Sequence, residues 1–245
     1  MDHYSRDTIN QAYNDKWITQ PWKSDSSKYF HHQAFPLATL APWFADAEFM
    51  DLYNKIKPFT LVDLYRCWEL WTIGMQMDGV EGDVLEVGVW KGGTGAILAR
   101  SVKDFEGKRV YLADTFSGVV KAGVHDDKYS GGEHSETSVA LVTGLMSELS
   151  LNNVEVLEGI FPEDTGGKVR STICMLHCDV DVYESSKDIV EWCLPRLSHG
   201  AVLVFDDYGF YGCEGVTRFC DEFKRRKEFR FINNLNGHAI FIKVA

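Results

Sequence analysis

Short, continuous apolar runs alternate along this chain with segments in which apolar residues recur three and four positions apart. The apolar runs are short enough for strands that are buried on both faces, and they span residues 83–88, 109–114, 154–157, 172–178 and 201–205. The segments between them fit amphipathic helices, with apolar positions such as Val139, Val142 and Met146. This alternation predicts an α/β fold in which helices cover both faces of a mostly parallel sheet.

The C-terminal part of the chain follows a different pattern. Val216, Phe219 and Phe223 predict one more amphipathic helix. Two apolar runs, 229–232 and 238–244, then flank a loop that contains Asn236-Gly237, which is typical of a β-hairpin. Adding this antiparallel hairpin to the five earlier strands predicts a seven-stranded, Rossmann-like sheet.

The N-terminal part lacks clean periodicity. Residues 1–46 are irregular and rich in aromatic side chains, among them Trp17, Trp22, Phe30, Phe35 and Trp43. A helix is expected next, with Leu61, Leu64, Tyr65, Trp68 and Met75 at helical spacing. We therefore assign residues 1–78 to a cap or oligomerisation segment, residues 79–245 to the core, and expect a homodimer or larger assembly.

Composition and charge limit the classes of partner and the compartment that are expected. The 245 residues carry a net charge of −11, which disfavours a nucleic-acid partner. The first 30 residues contain no long apolar stretch and no apolar run approaches a membrane span, so we expect neither a signal peptide nor a membrane anchor. Six cysteines without a CxxC pair favour a reducing, cytoplasmic compartment.

Ligands of open parallel sheets bind at the carboxyl ends of the strands, and the first strand ends in a glycine-rich turn. This turn contains Gly88, Gly92, Gly93 and Gly95, and the acidic residue Glu86 precedes it. The spacing differs from the G-x-G-x-x-G of dinucleotide folds, and no Lys-Ser/Thr follows it as in a phosphate loop. A nucleotide-cofactor turn and a simple packing turn both remain open.

Two further strand ends fit a nucleoside ligand. Asp114 lies 28 residues past Glu86 and ends the second strand, where a carboxylate can accept hydrogen bonds from both ribose hydroxyls of NAD or of S-adenosylmethionine (SAM); capping a helix is the alternative. Gly159, which ends the third strand between Glu158 and Ile160-Phe161, gives an adenine ring access to the backbone, although a plain turn fits equally well.

Four aspartates end the fourth and fifth strands. Asp179 and Asp181 are two positions apart and point to the same side of an extended segment. Asp206 and Asp207 end the next strand, which is expected to be its neighbour. Crowded carboxylates repel one another unless a cation lies among them, and hard oxygen ligands suit Mg²⁺, Ca²⁺ or Mn²⁺. The alternative is that some of these residues cap helices.

These strand ends resemble those of the macrocin O-methyltransferase family, whose members methylate sugar hydroxyls on antibiotics and related natural products. The similarity extends over roughly residues 47–244, and its matching segments are 59–66, 85–93, 113–118, 179–185, 204–208 and 215–223. The family has the class I SAM-methyltransferase fold, so the resemblance implies that fold here.

The resemblance also implies roles for individual residues. SAM is expected to bind through its methionine part at Glu86, Gly88, Val89, Trp90, Gly92, Gly93 and Thr94, through its ribose at Asp114, Thr115 and Phe116, and through its adenine near Glu158, Gly159, Ile160 and Phe161. Asp179, Asp206 and Asp207 are expected to bind Mg²⁺, with Asp179 also next to SAM. Asp181 is the candidate general base, and the loop residue His134 is the second choice.

Three departures from the family pattern bear on substrate. Val180 replaces the usual glycine between Asp179 and Asp181, and His177 stands where several members have arginine. The loop 117–134 and the N-terminal segment do not match closely, although they are expected to shape the acceptor pocket. A sugar hydroxyl of a glycosylated small molecule is the favoured acceptor, and a catechol or other phenol is the alternative.

Three other functions fit the sequence less well than a methyltransferase does. An NAD-dependent oxidoreductase is disfavoured by the glycine spacing and the aspartate cluster. A non-catalytic SAM-binding module would not need the metal and base candidates. A metal-dependent hydrolase would have no use for Asp114.

Overall fold

The computed structural model describes residues 28–31 and 38–245. Its seven strands are β1 Asp83–Val87, β2 Val110–Asp114, β3 Val154–Glu158, β4 Ile173–Cys178, β5 Leu197–Phe205, β6 Phe229–Asn233 and β7 Ala239–Lys243. Its α-helices are α1 Ala47–Ile56, α2 Leu64–Gly74, α3 Gly93–Ser101, α4 Val139–Glu148, α5 Tyr183–Cys193 and α6 Glu214–Phe223.

The strands form one sheet in the order β3-β2-β1-β4-β5-β7-β6. Neighbours are parallel from β3 to β5, whereas β7 runs antiparallel to both β5 and β6. This arrangement confirms the predicted parallel sheet with an antiparallel hairpin. The pairing of Val87 with Cys178, and of Cys178 with Phe205, brings the ends of β1, β4 and β5 to one edge.

Helices cover both faces of the sheet, as predicted. One buried cluster joins the sheet to α1, α2, α3 and α4, and a second joins its other face to α5 and α6. The first cluster includes Phe49 and Leu70 together with Ile97 and Leu98. The core therefore continues across the boundary proposed between residues 78 and 79, and the role of residues 1–78 in assembly stays a prediction.

The helix expected around residues 61–75 is shorter, and it buries a different face. It begins at Leu64 because the side chain of Asp63 accepts hydrogen bonds from the first backbone amides of the helix. Its buried positions are Arg66, Cys67, Leu70, Trp71 and Gly74, whereas Leu61, Tyr65 and Met75 are at least half exposed. The structure also contains α1, which the sequence pattern did not predict.

Little of the aromatic N-terminal segment lies within the described residues. Tyr29 donates a hydrogen bond to Asp221 on α6 at 3.2 Å. Trp43 belongs to a short 3-10 helix, Pro42–Ala45, and its ring meets Tyr65 edge to face. Trp17, Trp22 and Phe35 lie outside the described residues. Among the helices that are described, none has the length and apolar character needed to span a bilayer.

Candidate active site

A cavity of about 250 Å³ opens at the carboxyl ends of β1, β2, β4 and β5. Most of the residues predicted for the site line it: Gly88, Val89, Trp90, Thr94, Asp114, Thr115, His134, Gly159, Ile160, Phe161, Asp179, Asp181, Asp206 and Asp207. Five predicted cofactor residues do not line it: Glu86, Gly92, Gly93, Phe116 and Glu158.

The side chain of Asp114 is hydrogen-bonded to the glycine-rich turn after β1. Its Oδ2 accepts hydrogen bonds from the backbone amides of Val89 at 2.7 Å and Trp90 at 2.8 Å. Its Oδ1 accepts one from the amide of Phe116 at 2.7 Å. The carboxylate therefore shapes the turn from within, and its position on the cavity wall keeps it available to a ribose hydroxyl.

Glu86 lies beneath the turn instead of in the cavity. Its side chain is fully buried, and its Oε1 lies 2.8 Å from Nδ1 of His177, its register partner on β4. A Cβ added at Gly95 would lie 2.8 Å from Glu86 Oε2, so a small residue at position 95 leaves room for this carboxylate. In this structure Glu86 is thus paired with His177 beneath the turn.

Gly92 and Gly93 face the protein interior where α3 begins. A Cβ at Gly92 would press against Val142 of α4, and one at Gly93 would lie 2.7 Å from the carbonyl oxygen of Phe59. These glycines allow the turn to pack closely. Gly88 is packed most tightly, because a Cβ there would lie 1.7 Å from the carbonyl oxygen of Asp179, the residue that follows β4.

Three aspartates meet where β4 and β5 end. Ligand atoms of Asp179, Asp206 and Asp207 all lie within 4.8 Å of one another. Burial, followed by the neighbouring carboxylates, raises the pKa of Asp179 and of Asp207 well above the usual range. The adjacency of β4 and β5 was predicted correctly, and it produces the cluster of negative charge expected of a cation site.

Asp206 differs from the other two because basic groups contact it. Arg66 Nη1 lies 2.6 Å from Asp206 Oδ1, and His238 Nε2 lies 3.0 Å from the same oxygen. Burial raises the pKa of Asp206, but the contact with His238 and the charge of Arg66 outweigh it and hold this pKa below its usual value. Asp206 is therefore the cluster member most firmly kept as an anion.

The two candidate bases both line the cavity. Asp181 Oδ1 accepts a hydrogen bond from the hydroxyl of Tyr129 at 2.7 Å, and the backbone of Asp181 is left-handed, with φ of 65°. His134 also has a left-handed backbone, and its ring centre lies 6.2 Å from that of Tyr129. Burial and the adjacent charge of Asp181 raise the pKa of Tyr129, so its phenol stays protonated as a donor.

Several residues around the site were missed by the sequence interpretation. Arg66 was noted as part of a matching segment and was given no function. Tyr129 lies in the loop 117–134, which was expected to shape the acceptor pocket, yet no signal singled it out. Glu69 and His238 are far apart in sequence, and only the position of β7 beside β5 brings His238 to Asp206.

The strand order, the antiparallel β7 and the cavity above β1 and β4 define a class I methyltransferase fold. The solved O-methyltransferase NovP has this fold: its TM-score with the chain is 0.67 at 23% identity, over 76% of this chain and 83% of that one. Residues 61–243 match the family described as Macrocin-O-methyltransferase (TylF), and the chain therefore belongs to that family.

Two curated relatives are similar over part of their length. One is the 8-demethyl-8-(2,3-dimethoxy-alpha-L-rhamnosyl)-tetracenomycin-C 4'-O-methyltransferase of Streptomyces olivaceus, 31% identical over 57% of this chain and 58% of that protein. The other is the mycinamicin III 3''-O-methyltransferase of Micromonospora griseorubida, 33% identical over 59% and 62%. The chain thus spans about three fifths of each relative's length.

Proposed function

We propose that the protein is a SAM- and Mg²⁺-dependent O-methyltransferase that acts on a sugar hydroxyl of a glycosylated natural product. One observation carries the proposal: the aspartate cluster after β4 and β5 opens into the same cavity as the glycine turn after β1. A methyl donor and a cation-bound hydroxyl would therefore meet in one space.

The cofactor part of the proposal is supported by the fit of the turn. The Gly88 backbone has φ of 90° and packs against the backbone of Asp179, so a glycine lets the chain turn here at the cavity wall. Val89, Trp90 and Thr94 would then border the methionine part of SAM, Asp114 and Thr115 the ribose, and the 159–161 segment the adenine. Glu86 would act indirectly, by supporting the turn.

The metal part is supported by the donor set. Asp179, Asp206 and Asp207 offer carboxylate oxygens, which hard divalent cations prefer. Burial and, after it, the charges of the neighbouring carboxylates raise the pKa of Asp179 and of Asp207, and a cation would relieve the repulsion between these carboxylates. When bound there, Mg²⁺ would lower the pKa of an acceptor hydroxyl and fix its direction.

Asp181 is the proposed general base. It lies on the cavity wall beside Asp207, and Tyr129 holds one of its oxygens, which leaves the other to accept the proton. A bound SAM would supply the methyl group, and Asp181 would accept the proton that the acceptor hydroxyl loses as the carbon–oxygen bond forms and the carbon–sulfur bond breaks. General-base assistance of this kind is worth roughly a hundred- to ten-thousandfold in rate.

The acceptor class rests on the family and its relatives. One curated relative is named as the 4'-O-methyltransferase of a rhamnosyl tetracenomycin, and the other as the 3''-O-methyltransferase of mycinamicin III. We expect an acceptor of the same kind for this chain.

A cytoplasmic location fits the six unpaired cysteines. A homo-oligomer fits the exposed side chains of Leu40 and Phe44, and light scattering would test that assembly.

A methyl-transfer assay tests the proposal. Labelled SAM would be incubated with the protein and a panel of glycosides with free sugar hydroxyls, with a catechol as a separate arm, in Mg²⁺ and in EDTA. We expect Mg²⁺-dependent labelling of a glycoside. Labelling of the catechol alone would replace the acceptor class, and labelling that EDTA leaves unchanged would contradict the metal role.

A further inference from the structure

A fully buried histidine stands behind the aspartate cluster, and no role has yet been given to it. His238 immediately precedes β7, and its ring has no exposed surface. Its Nε2 lies 3.0 Å from Asp206 Oδ1, and its Nδ1 lies 2.6 Å from Glu69 Oε2 on α2. The imidazole therefore lies between a carboxylate from the helix layer and a carboxylate of the cluster; its Nε2 is close to Asp206 Oδ1, although the contact lacks the angle of a regular hydrogen bond.

The contacts of Glu69 show which group is the donor in its hydrogen bond with His238. The side-chain amides of Asn234 and Asn236 both donate to Glu69, and Asn236 does so at 3.1 Å. Glu69 is thus an acceptor, and His238 donates to it from Nδ1; a ring that also donates from Nε2 toward Asp206 is the doubly protonated imidazolium. Asn236 Oδ1 also accepts from the backbone amide of His238 at 3.0 Å, which fixes the turn that carries the ring.

Both basic contacts of Asp206 reach the same oxygen. Arg66 Nη1 and His238 Nε2 lie at 2.6 and 3.0 Å from Oδ1. Arg66 is held in turn by Asp63, whose Oδ2 accepts from Nε at 2.8 Å. Both basic groups contact Oδ1, and each is itself held by another acid, whereas Oδ2 has no ion pair among the described residues.

We propose that His238 is a positioning residue for the metal centre: with Arg66 it holds Oδ1 of Asp206, so that Oδ2 is presented to Mg²⁺. The inference rests on the proposed function and deepens it, because it explains how one of the three ligands acquires its orientation. Groups that orient metal ligands typically change metal affinity by about ten- to a hundredfold when they are removed.

Two amide substitutions separate positioning from packing. In His238→Gln the amide nitrogen takes the place of Nε2 and can still donate to Asp206. In His238→Asn it takes the place of Nδ1 and reaches only toward Glu69. Both side chains are neutral, so both lose the charge of the ring, but Asn is one methylene shorter than Gln and leaves a larger space. Tm is therefore measured for both variants, because a packing defect lowers Tm whereas a positioning defect raises the Kd for Mg²⁺.

The measurement is the Kd for Mg²⁺, obtained by calorimetric titration of the full chain saturated with S-adenosylhomocysteine. We expect His238→Asn to raise Kd by about ten- to a hundredfold, and His238→Gln to stay within a few-fold of the wild type. An unchanged Kd in His238→Asn, or an equal rise in both variants, would overturn the inference.

Glu69→Gln provides a second route if His238→Asn fails to fold. It leaves His238 and Asp206 in place and removes the charge that anchors the ring, so Kd should still rise; a wild-type Kd would overturn the inference. A wild-type protein that binds no Mg²⁺ would contradict the metal part of the proposed function as well. Wild-type binding with unaffected variants would contradict only the role of His238.

Discussion

The hydroxyl of Tyr129 donates a hydrogen bond to Asp181 at 2.7 Å, and this bond joins the loop 117–134 to the end of β4. Both residues line the cavity. The loop thus lines the cavity and also contributes a hydrogen-bond donor to the base candidate.

Removal of this hydroxyl should slow methyl transfer. Hydrogen bonds to charged groups are worth about 1.5–3 kcal/mol, so we expect Tyr129→Phe to lower kcat by roughly tenfold or more while the protein stays folded. Tyr211→Phe is the matched control, because it removes the hydroxyl of a half-exposed tyrosine outside the cavity lining. Equal kcat values in the two variants would show that the Tyr129 bond has no part in the reaction.

The choice between the two base candidates can be tested directly. Asp181→Asn should lower kcat by about a hundred- to ten-thousandfold, with little change in the affinity for S-adenosylhomocysteine. His134→Ala should have a much smaller effect on kcat, because the ring of His134 lies beside that of Tyr129. The reverse pattern, with His134→Ala inactive and Asp181→Asn active, would transfer the role to His134.

Gly88 should tolerate no side chain. Its φ of 90° and the 1.7 Å approach of a Cβ to the carbonyl oxygen of Asp179 require the backbone to move. Left-handed strain alone costs on the order of 1–3 kcal/mol, and we expect Gly88→Ala to exceed it in chemical denaturation. Gly144→Ala, in the exposed middle of α4 with nothing nearby, should instead stabilise by about 0.4–1 kcal/mol. Similar results for both would contradict the packing described at the turn.

Metal-free protein should gain stability when one cluster charge is removed. Burial and the charges of Asp206 and Asp181 raise the pKa of Asp207, so its ionised form destabilises the folded state at neutral pH. We expect Asp207→Asn to raise Tm in EDTA and to abolish further stabilisation by Mg²⁺. Asp51→Asn, which removes an exposed charge, should leave the response to Mg²⁺ intact. A wild-type response to Mg²⁺ in Asp207→Asn would exclude it as a ligand.

The sheet and the aspartate cluster were predictable because both follow from local pattern. Continuous apolar runs specify buried parallel strands, and strands joined by one crossover lie side by side, which brings Asp179 to Asp206 and Asp207. The place of Asp114 at the carboxyl end of β2 also followed from the order of the strands. These inferences need only the order of elements along the chain.

The surroundings of the cluster were not predictable in this way. His238 reaches Asp206 only because β7 inserts between β5 and β6, and a hairpin pattern is equally compatible with the other order. Glu86 was placed at the cofactor because it precedes the glycine turn, whereas its register with His177 directs it into a buried pair. In both cases the position of the side chain depends on a tertiary contact between polar groups that are far apart in the sequence.

The most direct test of the proposed function is thermal unfolding with S-adenosylhomocysteine, with NAD and without ligand, each in Mg²⁺ and in EDTA. A ligand at about a hundred times its Kd adds roughly 2.7 kcal/mol, which for a domain of this size raises Tm by about 2–4 °C per kcal/mol. We expect S-adenosylhomocysteine to raise Tm by several degrees, NAD to leave it unchanged, and Mg²⁺ to have an effect of its own. Stabilisation by Mg²⁺ without any response to S-adenosylhomocysteine would contradict the methyltransferase assignment and favour a metal-dependent hydrolase.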